Sequence, residues 1–238
     1  FFFLMYLNFA LDDYSSGFSL GNKLLEDADT PESLSFMSYL GGRYMDKEQY
    51  ETAKVYYDKA LNINDHDYET YNKYGLLYLY QNQHNLAIEK FQKALDYAPK
   101  YSATYKYALE NIAETYIATD DDDKAISIYY KLIQTNPTLC LSYSKLAILY
   151  YKKGELALSS HLLKIAHDNM WSGNYGQLGL ACYYSYTKNL DMALQYLKIA
   201  LDMDFSDISW LLYDPHLNNI RETEEFWELI ENAIKSKK

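Results

Sequence analysis

Apolar residues recur along this chain at steps of three and four, and the runs are separated by short polar clusters that carry the turn-forming residues. That pattern predicts a succession of short amphipathic helices joined by tight turns. A slower period is superimposed on it. Tyrosine returns at Tyr44, Tyr78, Tyr116, Tyr150 and Tyr184, with gaps of 34, 38, 34 and 34 residues. Nine residues after each comes a small side chain: Ala53, Ala87, Ala125, Ser159 and Ala193. Four further on stands a bulky one (Tyr57, Phe91, Tyr129, Leu163, Leu197), and three beyond that Ala60, Ala94, Leu132, Ala166 and Ala200. Just ahead of each tyrosine lie Leu40-Gly41, Tyr74-Gly75, Ile112-Ala113, Leu146-Ala147 and Leu180-Ala181. Each period therefore encodes two helices. The small residues let the two axes approach, and the aromatic or aliphatic knobs fill what space is left. One such pair cannot bury its apolar face alone, so successive pairs must stack into a quasi-one-dimensional array.

This spacing resembles the tetratricopeptide repeat. The match is fullest from Tyr71 through Tyr74, Gly75, Tyr78, Ala87, Phe91 and Ala94 to Pro99. The resemblance implies an all-α fold, an α-α superhelix in the form of a right-handed solenoid of helix-turn-helix repeats. On this frame residues 1–33 form a degenerate N-terminal repeat, 34–207 five repeats and 208–238 capping helices, all in one continuous repeat domain. It also implies a concave face lined by the first helix of each pair, which in relatives holds a peptide or another protein. Carried over position by position, that groove comprises Met45, Asp46, Glu69, Asn72, Leu76, Tyr80, Tyr107, Glu110, Glu114, Ile117, Ile148, Tyr151, Lys152, Tyr175 and Tyr186. Such a face is apolar and aromatic with carboxylates in its first half, and it suits a segment bearing apolar anchors and a basic residue. Relatives that clamp a terminal carboxylate use Lys, Asn and Arg where this chain has Ser38, Gly42, Glu110 and Leu141; Asn111 and Lys145 alone echo that clamp.

Charge and composition narrow the partner. A formal net charge of -11 repels phosphate backbones and argues against nucleic acid, while a basic or neutral protein fits. The same negative surface also serves solubility. Of the 28 tyrosines, the five of the beat together with Tyr57, Tyr74 and Tyr129 sit at positions expected to be buried. Cys140 and Cys182 fall at different phases of different repeats, which implies no disulfide. His66, His84, His161, His167 and His216 form no metal-binding pair, and Gly173, Gly176 and Gly179 lack the strand and the Lys-Ser/Thr ending of a phosphate loop. Those glycines are expected to lower the groove wall. No nucleophile stands beside a base, so the expectation is no catalysis, no cofactor and no metal. The run Asp120 to Asp123 lacks the alternating ligands and turn glycine of a calcium loop and suits a helix N-terminus instead.

Two irregularities and the two ends complete the picture. The long interval between Tyr78 and Tyr116 predicts an early helix start near Ser102, with Tyr101, Tyr105 and Lys106 standing proud of their neighbours. Residues 1–11, apolar apart from Asn8, are too few to span a membrane and are assigned to the first helix of the degenerate repeat, whose second helix carries Tyr14, Gly17, Gly21 and Leu24. The start at Phe1 suggests a processed or trimmed end. It leaves open a membrane-attached or exported form beside the favoured cytoplasmic one. At the far end Asp214-Pro215 should interrupt a helix, and Thr223 should cap a final one over Glu224 to Lys235 that closes the last core layer. The chain thus reads as a non-catalytic scaffold or adaptor binding a protein segment. Two alternatives stay open: the interaction part of a longer enzyme or membrane-anchored assembly factor, and a self-associating module, a homo-oligomer. If the small residues set the helix spacing, Ala87→Leu should cost roughly 1 to 3 kcal/mol in urea denaturation.

Overall fold

The computed structural model describes residues 13–24, 31–169, 173–203, 205 and 208–235. Every regular element among them is helical. The order is α1 (Tyr14–Leu24), α2 (Pro31–Asp46), α3 (Tyr50–Ile63), α4 (Tyr68–Tyr80), α5 (His84–Tyr97), α6 (Ala103–Ala118), α7 (Asp122–Thr135), α8 (Cys140–Lys152), α9 (Leu156–Asp168), α10 (Asn174–Tyr186) and α11 (Leu190–Asp202). After these come α12 (Ile208–Tyr213), a 3-10 turn (Pro215–Leu217), α13 (Asn218–Arg221) and α14 (Glu224–Lys235). The architecture is all-α, of the α-α superhelix class. Packing divides the chain into two compact units, residues 1–121 and 122–238, with the boundary at the acidic turn after α6.

Within the first unit α2 pairs with α3 and α4 with α5; within the second α8 pairs with α9 and α10 with α11. The spacing argument holds at the atoms. A Cβ added to Gly75 would run into the Phe91 ring, and one added to Gly41 would lie 2.6 Å from Cε1 of Tyr57. Ala53, Ala87, Ala125, Ser159 and Ala193 are all fully buried, and the Ser159 hydroxyl donates to the Ala147 carbonyl at 2.7 Å. Tyr57, Tyr74 and Tyr129 are core, as expected. The beat tyrosines are less uniform: Tyr44 and Tyr78 are buried, whereas Tyr116, Tyr150 and Tyr184 are only half-buried. In α9 the knob is Leu162 rather than its half-buried neighbour Leu163.

The tyrosine beat also marks a backbone event. In each of the five turns that follow a beat tyrosine, the residue four positions on takes a left-handed conformation: Glu48, Asn82, Asp120, Gly154 and Lys188, with φ between 56° and 79°. The next N–H then donates back to the tyrosine carbonyl, at 3.0 Å for Gln49 to Tyr44, 2.9 Å for Gln83 to Tyr78, Asp121 to Tyr116 and Glu155 to Tyr150, and 2.8 Å for Asn189 to Tyr184. The left-handed residue itself donates one turn in, as Glu48 does to Met45 at 2.9 Å. This is a Schellman termination, which absorbs the carbonyls a helix end leaves unpaired. Only one of the five positions is glycine, so no sequence signal announced it.

Elsewhere the helix ends follow the expected caps. The Asp67 carboxylate accepts from Thr70 N at 3.0 Å to open α4, and the Ser102 hydroxyl accepts from Tyr105 N at 3.1 Å to open α6. At 16 residues α6 exceeds α4, α8 and α10, each 13, and with the connection before it one residue longer than that before α4 or α8 this accounts for the long interval. Tyr101 does stand out, 75% exposed. Tyr105, however, is buried, because its place in the first turn of α6 turns it inward, and Lys106 is half-buried. At the N-terminal end α1 packs on α2; Phe18 stacks on Tyr44 with centroids 4.0 Å apart, and the Asn22 amide bridges the hydroxyls of Tyr44 and Tyr56. The helix expected over residues 1–11 lies outside the described residues. At the C-terminal end Asp214-Pro215 ends α12, the Thr223 hydroxyl accepts from Phe226 N at 3.3 Å, and α14 lies against α11 with Phe226 and Ile230 buried.

A side chain at φ near 60° is strained where glycine is not. Lys188→Gly should therefore raise stability by about 1 kcal/mol and Gly154→Ala lower it by a similar amount, both read as shifts in the urea midpoint.

Candidate protein-binding face

In residues 1–121 the first helices α2, α4 and α6 lie side by side and are tied by side-chain bonds across the same face. Lys73 of α4 donates to the Ser38 hydroxyl of α2 at 3.0 Å, and the Asn111 amide of α6 donates to Asn72 of α4 at 3.3 Å. Around these ties the groove residues expected from the repeat phase form a mixed surface. Tyr80 is 46% exposed and Tyr107 43%, both too large to leave in water without consequence. Met45, Asn72, Leu76, Glu110, Glu114 and Ile117 are half-buried between them, while Asp46 and Glu69 are exposed.

The electrostatics of this face are local and paired. Arg43 holds Asp46 at 2.9 Å and lies over the Tyr39 ring at 5.3 Å. Partial burial raises the Asp46 carboxyl above the ordinary aspartate range, with Arg43 opposing. Burial likewise pulls the Lys73 ammonium down, and Glu69 and Asp67 push back. Lys106 sits 4.5 Å above the Tyr107 ring and 3.9 Å from Glu110. The face therefore offers aromatic edges, aliphatic surface and carboxylates.

Residues 122–238 treat the corresponding positions differently. Tyr151 is exposed, its ring meeting those of Tyr183 and Tyr186 edge-on at 6.4 and 6.2 Å, and Tyr175 is exposed beside Phe205. Lys152 pairs with Asp122 at 2.9 Å and Lys153 with Asp123 at 2.6 Å, so two carboxylates of the acidic run are engaged by lysines at the end of α8. Ile148 is not an open groove residue. It is 1% exposed, and on its helix face a buried polar cluster has formed. The Lys145 ammonium, 1% exposed, lies 2.6 Å from an Asp214 oxygen and 2.9 Å from Nδ1 of His216; the other Asp214 oxygen accepts from His216 N at 2.8 Å. His216 meets the Tyr186 ring edge-on at 5.8 Å, and the Asn219 amide donates to the Ser185 carbonyl at 2.7 Å. Burial alone would raise the Asp214 carboxyl, but Lys145 and His216 outweigh it and hold the group well below the ordinary range. The sequence singled out Lys145, yet nothing in the repeat phase connected it to Asp214, 69 residues away.

The glycines of α10 also differ from expectation. Gly176 and Gly179 are buried, and a Cβ on Gly179 would meet Ser144 of α8 at 2.8 Å, so that glycine serves close helix approach rather than a low groove wall. Cys140 and Cys182 are both buried and do not form a disulfide. The Cys140 thiol donates to the Ala166 carbonyl at 2.9 Å, and burial pushes it up to about 12, which favours the thiol over the thiolate. Among the described residues no helix is long and apolar enough to cross a membrane.

The family model of the tetratricopeptide repeat matches residues 40–67, 68–101 and 107–139. Between residues 40 and 139 the chain therefore carries three tetratricopeptide repeats. Over 200 residues it is 24% identical to the TPR repeat-containing protein MJ1428 of Methanocaldococcus jannaschii, a match covering 79% of this chain and 34% of that one. It thus spans about a third of that relative's length. A tetratricopeptide repeat protein from Parabacteroides merdae superposes with a TM-score of 0.64 at 16% identity, over 92% of this chain and 82% of that one. YrrB, described as a TPR protein with an unusual peptide-binding site, superposes with a TM-score of 0.51 at 16% identity, over 81% and 96%. At these identities the solved structures speak for the fold. The tetratricopeptide fold commonly mediates protein–protein interaction, and its members are typically scaffolds rather than enzymes.

The Lys145–Asp214 pair makes the repeat array sensitive to substitution and to acid. Removing one partner leaves the other charge buried, so Asp214→Ala should cost about 3 to 5 kcal/mol, whereas Lys145→Met with Asp214→Leu, which leaves neither charge of the pair behind, should cost less. Because the Asp214 carboxyl is depressed in the folded chain, its contribution is complete above the unfolded value of about 3.9 and is lost as pH falls below it. Urea titrations between neutral pH and roughly pH 3 check both statements.

Proposed function

We propose that this chain is a non-catalytic adaptor that binds a protein segment on the face of α2, α4 and α6, through Tyr80, Tyr107, Leu76, Ile117 and Met45 as apolar contacts and Asp46, Glu69, Glu110 and Glu114 as acceptors for a basic residue. The exposed pair Tyr80 and Tyr107, on adjacent first helices among carboxylates, carries the reading. Aromatic side chains of this kind supply large contact area at small entropic cost and dominate binding energy where they occur. The net charge of -11 favours a basic partner, and the peptide-binding site in YrrB's description supports the same use of the fold. In residues 122–238, Tyr151, Tyr175 and Tyr186 remain candidates for contact; Lys152 is engaged with Asp122.

A second reading, the interaction part of a longer protein, is favoured by one fact: the chain spans only a third of MJ1428. Both readings use the same face.

Panning a random peptide library against the folded chain tests the proposal. Enriched peptides should combine Lys or Arg with aliphatic or aromatic residues, and Tyr80→Ala with Tyr107→Ala should weaken their binding by roughly 30-fold while leaving the melting transition in place. Tyr78→Ala is the contrast. That residue is core, so its truncation should cost about 3 to 5 kcal/mol of stability. Enrichment of acidic peptides, or undiminished binding by the double variant, would put the site elsewhere.

A further inference from the structure

We infer that the face of α8 and α10 is a second segment-binding site, which the chain closes with its own Asp214–Leu217 turn, and that a protein segment carrying an acidic residue followed closely by leucine competes for it. This goes beyond the adaptor reading, which concerns α2, α4 and α6, and stands or falls separately. By the repeat step, Ser144, Ile148, Leu178, Cys182 and Ser185 occupy in α8 and α10 the places that Asn72, Leu76, Glu110, Glu114 and Ile117 share in α4 and α6. The first set is fully buried and the second half-buried.

The difference is an occupant. The turn after α12 lies against α10 and presents Asp214 to Lys145, His216 to Tyr186 and a fully buried Leu217, while Asn219 reaches the Ser185 carbonyl. A short extended or turn segment lying on first helices, held by one charge pair, one ring contact and one leucine, is how a bound peptide would be held. The occupant therefore specifies the ligand chemistry: a carboxylate for the Lys145 ammonium and an aliphatic side chain beside it.

Two observations make this occupant exchangeable. It is carried by a six-residue helix, a single 3-10 turn and a four-residue helix, none long enough to be stable apart from the surface it sits on. Its fit is also incomplete. The Ser185 hydroxyl on α10, whose own carbonyl the Asn219 amide reaches, is buried without a hydrogen-bond partner, a state that costs stability and that a better-fitting segment would relieve.

The probe is a fluorescein-labelled peptide of residues 211–220, followed by anisotropy. Asp214→Ala, which loosens the internal turn, should bind it at least tenfold more tightly than the unaltered chain. Adding Lys145→Ala, or using a peptide with Asp214→Asn, should abolish that gain. Equal binding by the unaltered and Asp214→Ala chains, or binding by neither, overturns the inference. If Asp214→Ala does not fold, hydrogen exchange on the unaltered chain decides. Faster exchange over residues 211–221 than over α8 and α10 is the expected result, and uniform protection across them overturns it.

Discussion

The structure depends on how closely the two helices of a repeat can approach. At Gly75 and Gly41 there is no room for even one carbon, because the rings of Phe91 and Tyr57 already fill the space. At the other crossings, alanine or serine is buried completely. Close approach brings each second helix against one side of its first helix, and in α2, α4 and α6 another side stays partly open. An open face is thus a by-product of packing. The same residues that make the pair stable decide which side chains of α2, α4 and α6 are left facing solvent.

What the fold does with that face differs between the two units. In residues 1–121 it stays partly open, with Tyr80 and Tyr107 exposed and their charged neighbours held in local pairs such as Arg43 with Asp46. In residues 122–238 the corresponding side is filled by the chain itself, through a buried ammonium, carboxylate and imidazole. A buried ion pair of this type contributes little net stability, because desolvation offsets most of the attraction, yet it makes wrong arrangements expensive. Its consequence is positional: it fixes where the C-terminal turn sits.

The parts of this architecture that were legible in the sequence are those that repeat or that obey local chemistry. The tyrosine step, the small residues, the Ser102 and Thr223 caps and the break at Asp214-Pro215 all follow from residues acting on their own neighbours. The exposed tyrosines of α4 and α6 were reachable from the repeat phase. Ile148 was not, because its burial belongs to a side of α8 that carries the polar cluster, and the link between Lys145 and Asp214 leaves no periodic trace. The left-handed turn residues were hidden for another reason: Glu48, Asn82, Asp120 and Lys188 adopt a glycine-like conformation that their side chains do not advertise. Tyr105 went astray because an extra helical turn was read as a protrusion, whereas it packs inward.

The central claim, that the first helices of residues 1–121 form the partner-binding face, is tested most directly by hydrogen exchange on the chain with and without a saturating peptide ligand taken from the library. The account predicts slowed exchange in α2, α4 and α6, with α3 and α5 unchanged. Protection confined to α3 and α5, on the other side of the helix pairs, would contradict it.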